Sequence, residues 1–193
     1  MQHLAYQATA PYQWIDMRSQ TAFQAGDLKG ALNLIPGNFK KYAGDLLQAK
    51  QPIALVLDAD LENQLPELER QLDSQGFTQL AGYLLIADVP QADLQTQATI
   101  TAADFINLPA GDFTLLDVRH PDEITRPAPE KQLQNIALEE LAFNYEKLQP
   151  GQTIYTLCGS GNRATAAASF LAVKGYQPVI IEGGMKAVQA LNP

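Results

Sequence analysis

The sequence contains one cysteine and two histidines, and this scarcity excludes several kinds of site. A single cysteine cannot form a disulfide bond within the chain. The histidines, His3 and His120, form no metal-ligand spacing with Cys158. We therefore expect neither a metal centre nor a bound cofactor.

Positive charge and long apolar runs are also scarce. The chain has 13 Lys and Arg against 21 Asp and Glu, a formal net charge of −8 that is poorly suited to nucleic acid or anionic membranes. No apolar run approaches the length of a membrane span, and the first residues lack the pattern of a secretory signal. Together with the free thiol, these absences predict a cytoplasmic protein without nucleic-acid or membrane partners.

What the sequence does contain is an alternation of predicted strands and helices. Apolar runs at 53–57 and 153–157 predict buried strands, and amphipathic segments at 61–75 and 164–174, each followed by glycine, predict helices. Such alternation is typical of an α/β fold, with a mostly parallel sheet covered by helices on both faces. Further strands are predicted at 13–18, 31–35, 80–86, 113–119, 133–136 and 178–181, and further helices at 19–25, 38–49, 101–108, 138–147 and from Met185.

The pattern of the first half recurs in the second. The Asp-x-Arg at 16–18 returns 101 residues later at 117–119, and several glycines recur at nearly the same offset. Two units of about a hundred residues are a normal domain size. We expect two domains of the same fold, residues 1–90 and 91–193, joined by a linker within 88–99.

Cys158 lies where a predicted strand ends and a glycine-containing loop leads into a helix. A helix N-terminus presents unpaired N–H groups, and glycines at 159 and 161 allow successive N–H groups to point at one centre. A thiolate would be stabilised there, and Arg163 adds a permanent cation. The pattern favours a reactive cysteine that handles an anionic group. The alternative is an inert cysteine, buried as a small apolar side chain.

The first half lacks this chemistry at the matching position. An offset of 100 from Cys158 reaches Asp58, in a segment that also contains Asp60 and Glu62 but no thiol, glycine or arginine. Carboxylates there repel anions rather than collect them. Acid–base or metal chemistry is one interpretation of these carboxylates, and a solvated helix start is the simpler one.

Several motifs, taken in chain order, resemble the rhodanese-like (sulfurtransferase) family. In the second half they include Leu-Leu-Asp-Val-Arg-His-Pro-Asp-Glu at 115–123, Cys-Gly-Ser-Gly-Asn-Arg at 158–163 and Glu-Gly-Gly at 182–184. In the first half they include Gly-Asp-Leu-Lys-Gly-Ala-Leu-Asn at 26–33, with Asp27 where the family has histidine. The resemblance implies tandem rhodanese-like domains, the first without the catalytic cysteine.

The resemblance also implies a reaction. Sulfur from a small anionic donor, thiosulfate or 3-mercaptopyruvate, would pass to Cys158 and then to cyanide, a thiol or a protein acceptor. Cys158 would be the nucleophile and sulfur carrier. The backbone N–H groups of the loop would bind the charged sulfur, and the loop residues are Gly159, Ser160, Gly161, Asn162 and Arg163. Arg163 would help to bind the donor or would pair with a nearby carboxylate.

Other residues are expected to support the site. Asp117 and Arg119 would hold the scaffold as a buried ion pair, and Gly183 and Gly184 would serve a tight turn. The segment 124–132 departs from the family pattern and is expected to be an irregular loop, with Arg126 as a second anion contact.

The spacing between cysteine and arginine separates the alternatives. The Cys-x4-Arg loop is one residue shorter than the phosphate-binding loop of the related cysteine phosphatases, so a phosphatase ranks last. The loop begins as in mercaptopyruvate-type enzymes and ends differently, which leaves the donor open. A non-catalytic interaction module and a thiol redox sensor remain as alternative functions.

Overall fold

The computed structural model of the protein describes residues 1–7 and 11–191. The chain divides into two compact units, Met1–Thr96 and Gln97–Pro193. Each unit is an α/β structure whose main sheet is entirely parallel, which confirms the fold class predicted from the alternation of strands and helices.

The first unit is built on a four-stranded sheet with a small antiparallel pair beside it. Its strands are β1 (Gln13–Asp16), β2 (Asp27–Leu28), β3 (Leu32–Asn33), β4 (Ile53–Leu57), β5 (Leu80–Leu85) and β6 (Leu94–Gln95). Its α-helices are α1 (Gln20–Ala25), α2 (Pro36–Leu46) and α3 (Leu65–Ser74). The main sheet has the order β3-β1-β4-β5, and β2 pairs with β6.

The second unit is built on a five-stranded sheet of order β7-β11-β10-β8-β9. The strands are β7 (Thr99–Ile100), β8 (Phe113–Asp117), β9 (Leu133–Asn135), β10 (Thr153–Leu157) and β11 (Gln177–Ile181). The helices are α4 (Ala102–Asn107), α5 (Leu141–Asn144), α6 (Asn162–Val173) and α7 (Gly184–Leu191). Because all the strands are parallel, their carboxyl ends meet at one edge, where such sheets bind ligands.

Four strands have the same arrangement in both units. The order β9-β8-β10-β11 of the second sheet matches β3-β1-β4-β5 of the first, with every neighbouring pair parallel. Strand β4 therefore has the place in its sheet that β10 has in the other. Asp58 follows β4 and Cys158 follows β10, so the two residues occupy matching positions.

Local sequence signals account for several helix ends. The Ser19 hydroxyl accepts a hydrogen bond from the Ala22 N–H at 3.2 Å, and the Thr101 hydroxyl accepts one from the Asp104 N–H at 3.1 Å. Both residues begin segments predicted to be helical, 19–25 and 101–108, and such caps satisfy N–H groups that the helix itself leaves unpaired.

The predicted linker is where the structure differs most from expectation. Within residues 88–99, Leu94–Gln95 form β6 and Thr99 begins β7, which pairs with β11. The Gln95 side chain also donates to the Asp27 carboxylate at 3.0 Å. Its proline and glutamines are typical of a segment without regular structure. The edges of β2 and β11 nevertheless offer hydrogen-bond partners for its backbone groups. Those partners lie far away in the sequence.

Two predicted helices are shorter or less regular than expected. Residues Ala59–Gln64 form a 3-10 helix, so α3 begins only at Leu65. The predicted helix at 138–147 contains four α-helical residues, α5, between two 3-10 turns. No helix in residues 1–7 and 11–191 is long and apolar enough to cross a membrane.

A buried network lies at the carboxyl end of β8. The Arg119 side chain donates to both Asp117 carboxylate oxygens, through Nε at 2.9 Å and Nη2 at 2.6 Å. Arg119 Nη1 also donates to the carbonyl of Arg126 at 3.2 Å. The Asn135 amide donates to the carbonyls of Asp117 and Arg119 at 2.8 and 2.9 Å. The network joins the end of β8, the loop after it and the end of β9.

The first unit has the same network after β1. Arg18 donates to Asp16 through Nε at 3.0 Å and Nη2 at 2.6 Å, and Nη2 also reaches the carbonyl of Gly26 at 2.7 Å. The Asn33 amide donates to the carbonyls of Asp16 and Arg18 at 3.1 and 3.0 Å. Burial raises the pKa of Asp16, and the hydrogen bonds and charge of Arg18 act in the opposite direction. Holding this carboxylate out of water is therefore costly, and its partner is needed to keep it charged.

We predict that Arg119→Ala destabilises the protein far more than a matched change at the surface. The substitution leaves the Asp117 carboxylate buried at 1% exposure without its cation, which typically costs about 3–5 kcal/mol. Arg70→Ala is the control, because Arg70 pairs with Glu67 on an exposed helix face and its loss costs less than about 1 kcal/mol. Urea unfolding measures both. Equal free-energy losses would contradict the assigned role of the network.

Candidate active site

Cys158 lies directly after β10, and its sulfur faces inward. The residue is 1% exposed, and Sγ accepts hydrogen bonds from the N–H groups of Gly161 at 3.2 Å and Ala164 at 3.3 Å. Gly161 reaches this position with a φ of +103°, which a residue with a side chain rarely adopts. The loop therefore folds back so that backbone dipoles converge on the sulfur.

The helix after the loop begins earlier than the sequence predicts. Helix α6 starts at Asn162 rather than Ala164, so Asn162 and Arg163 belong to its first turn. The first N–H groups of a helix have no partner within it, and that of Ala164 is free to bond Sγ. Ala164 was not among the predicted site residues. Once the helix start is known, Ala164 can be identified, because the first N–H groups of any helix lack partners within it.

Helix α7 holds the cysteine loop from the other side. The N–H of Met185 donates to the Cys158 carbonyl at 2.7 Å, and that of Lys186 donates to the Gly159 carbonyl at 3.0 Å. Gly184 has a φ of +57°, and a Cβ placed on it would lie 2.4 Å from the Cys158 carbonyl oxygen. The expected glycine turn is therefore also a close contact with the site, which the sequence interpretation missed.

Arg163 forms an ion pair at the rim of the loop. Both terminal nitrogens of its guanidinium donate to the Glu123 carboxylate, with 3.0 Å between Nη2 and Oε2. Nη2 also lies 3.8 Å from the point where a Cβ would stand on Gly159. Glu123 in turn accepts a hydrogen bond from the His120 N–H at 2.8 Å. Of the two expectations for Arg163, the structure contains the pairing with a carboxylate, and donor binding stays a prediction.

The remaining predicted contacts lie around this rim. Ser160 is exposed and Asn162 is half-buried. The segment after Glu123 is irregular, and Arg126 within it is exposed and fixed through its backbone carbonyl. A contact between the Arg126 side chain and an anion stays a prediction.

The matching edge of the first unit is built differently. Helix α3 begins seven residues after Asp58, whereas α6 begins four residues after Cys158. No α-helix N-terminus therefore follows Asp58 directly. A cavity of about 350 Å³ at this edge is lined by Met17, Arg18, Ser19, Ile35, Pro36, Asp58, Asp60 and Leu61. Within residues 1–7 and 11–191, no three His, Cys, Asp or Glu side chains are grouped to hold a metal ion.

The N–H groups around Cys158 are arranged to stabilise negative charge on sulfur. Hydrogen bonds from backbone N–H groups favour the charged form of an acceptor and need no movement during a reaction. A sulfur that carries negative charge, on the cysteine or on a second sulfur bound to it, is the group that these donors suit. Cys158 is almost fully buried, and the lower dielectric of a buried site strengthens each interaction.

Comparison with known proteins shows that the second unit is similar to rhodanese-like domains. The profile of the rhodanese-like domain matches residues 101–191. A rhodanese-related protein from Thermoplasma volcanium is 32% identical over 49% of this chain and 93% of its own, with a TM-score of 0.45. Reduced CoADR-RHD from Bacillus anthracis is 28% identical over 49% of this chain and 17% of its own, with a TM-score of 0.47. No curated protein sequence matches the chain.

We predict that Gly184→Ala disturbs the cysteine loop more than the strain of a positive φ would do by itself. The new methyl group would collide with the Cys158 carbonyl, so the loop or α7 must shift and Cys158 becomes more accessible. Gly151→Ala is the matched control, because Gly151 also has a positive φ, +85°, but nothing lies near its Cβ position. The strain that both share is about 1–2 kcal/mol.

Urea unfolding and the rate of Cys158 alkylation by iodoacetamide distinguish the two variants. Gly184→Ala should lose more stability and react faster than Gly151→Ala. If both variants alkylate at the wild-type rate, the contact does not position the loop.

Proposed function

Because residues 101–191 form a rhodanese-like domain, we propose that this protein is a sulfurtransferase that carries sulfane sulfur as a persulfide on Cys158. The observation that carries the proposal is the pair of N–H hydrogen bonds from Gly161 and Ala164 to Sγ. An inert cysteine of the core has no need of such donors, because a neutral thiol is a weak acceptor.

In the first step the Cys158 thiolate attacks the sulfur of the donor. With thiosulfate the outer sulfur is attacked, the sulfur–sulfur bond breaks and sulfite leaves with the bonding electrons. With 3-mercaptopyruvate the carbon–sulfur bond breaks, and the carbon takes up the thiol proton to give pyruvate. In both cases a new sulfur–sulfur bond forms on Cys158, and the loop N–H groups stabilise its negative charge.

In the second step an acceptor attacks the outer sulfur of the persulfide. Cyanide would leave as thiocyanate, and a thiol or a protein cysteine would leave as a persulfide. The bond between the two sulfurs breaks, and Cys158 recovers its electron pair as a thiolate. The N–H groups of the loop stabilise this leaving group, so the same donors serve both steps.

We also propose that the protein is a tandem of two such domains, the first of which does not catalyse this reaction. The shared strand order and the repeated Asp–Arg–Asn network support a common fold. Asp58 in place of the cysteine, with no α-helix start directly after it, supports the absence of sulfur chemistry there.

A non-catalytic interaction module is the second candidate, and the burial of Cys158 favours it. At 1% exposure the sulfur is accessible only if small groups can enter the loop or if the loop moves. The same burial argues against a redox sensor, because sensor thiols are exposed.

We predict that thiosulfate or 3-mercaptopyruvate adds one sulfur atom to Cys158 and that cyanide then removes it as thiocyanate. Mass spectrometry of the intact protein and of the peptide containing Cys158 detects the added atom, and thiocyanate release measures turnover. Cys158→Ser is the matched control, since it keeps nearly the same volume and removes the thiol. A wild-type protein that gains no sulfur from either donor contradicts the proposal and leaves the interaction module.

A further inference from the structure

The two side chains of the ion pair at the rim of the cysteine loop are exposed to solvent to different degrees. The Arg163 side chain is 18% exposed, whereas that of Glu123 is 41% exposed. A molecule that approaches the loop from solvent therefore meets the carboxylate more readily than the guanidinium. The cation that the sequence offers for donor binding is partly covered by its own counter-charge.

We propose that Glu123 determines donor specificity at this site, by holding Arg163 and disfavouring a donor with two negative charges relative to one with a single charge. The inference rests on the proposed sulfurtransferase function. Glu123 is a positioning residue, because it acts on the donor through Arg163 and through the electrostatic field of its carboxylate.

Charge accounts for the direction of the effect. A free guanidinium would attract thiosulfate, a dianion, more strongly than 3-mercaptopyruvate, a monoanion, because Coulomb energy scales with the charge of the ligand. Pairing with Glu123 cancels this advantage. The backbone N–H groups at Cys158 remain, and they serve the sulfur of either donor.

The carboxylate is fixed in this position by a second contact. Glu123 accepts the N–H of His120, and the His120 ring in turn accepts the N–H of Asp122 at 3.2 Å. These bonds close a short turn, so Glu123 is held at the rim rather than on a freely moving side chain. A donor must then displace a bidentate pair to reach Arg163, and such pairs are stronger and more directional than single contacts.

The test compares Glu123→Gln with Asp122→Asn. Both remove one negative charge from the same turn, but Asp122 is 91% exposed and its backbone and side chain contact His120 rather than Arg163. Glutamine keeps an oxygen that can accept the His120 N–H, so the turn is preserved. Steady-state kinetics with thiosulfate and with 3-mercaptopyruvate give kcat and KM for each variant.

Glu123→Gln should lower KM for thiosulfate by up to about five-fold, the upper end of the range for loss of one exposed ion pair, with little change in kcat. The same substitution should lower KM for 3-mercaptopyruvate less. Asp122→Asn should change the ratio of the KM values for the two donors little. The effect should weaken at high ionic strength, because salt screens exposed charges. Equal effects on both donors, or the same effect in both variants, would overturn the inference.

A second measurement does not depend on sulfur transfer. The ratio of Cys158 alkylation rates with iodoacetate, an anion, and iodoacetamide, its neutral analogue, reports the local field at the sulfur. We expect Glu123→Gln to raise this ratio and Asp122→Asn to leave it near the wild-type value. An unchanged ratio in Glu123→Gln overturns the role of Glu123 even if the protein transfers sulfur. A raised ratio without reaction of either donor would show that Glu123 acts on the field at the sulfur, but it would overturn the proposed function and the donor specificity that rests on it.

Discussion

The contact between Gly184 and the carbonyl of Cys158 constrains the rest of the site. The start of α7 donates hydrogen bonds to the carbonyls of Cys158 and Gly159, and this leaves no room for a side chain at Gly184. With their carbonyls fixed, the following residues turn back so that N–H groups face the sulfur. The chemistry of one side chain thus depends on a close approach of two backbone segments about 25 residues apart in the sequence.

The two units share a scaffold but differ in the residues that follow matching strands. Both have the same strand order and the same Asp–Arg–Asn network at the sheet edge. In each unit that network ties the end of one strand to the segment after it and to the end of the neighbouring strand. After β10 the cysteine loop leads into α6, whereas after β4 Asp58 leads into a 3-10 helix.

The charge of the site has two sources that act differently. Backbone dipoles surround the sulfur and are fixed by the fold, so they serve any negatively charged sulfur. The pair of Glu123 and Arg163 lies at the rim, where one substitution changes the field. The fixed backbone dipoles and the exchangeable ion pair are therefore separate features of the site.

The sequence by itself determined the elements whose signals are local. Apolar runs predicted β4 and β10, and the single cysteine followed by glycines and an arginine singled out the loop at 158–163. Only the tertiary structure decided that Glu123 holds Arg163, that Gly184 touches Cys158 and that residues 94–95 complete a strand pair. Each of these joins segments distant along the chain, and no local pattern of residue types records which distant groups will meet.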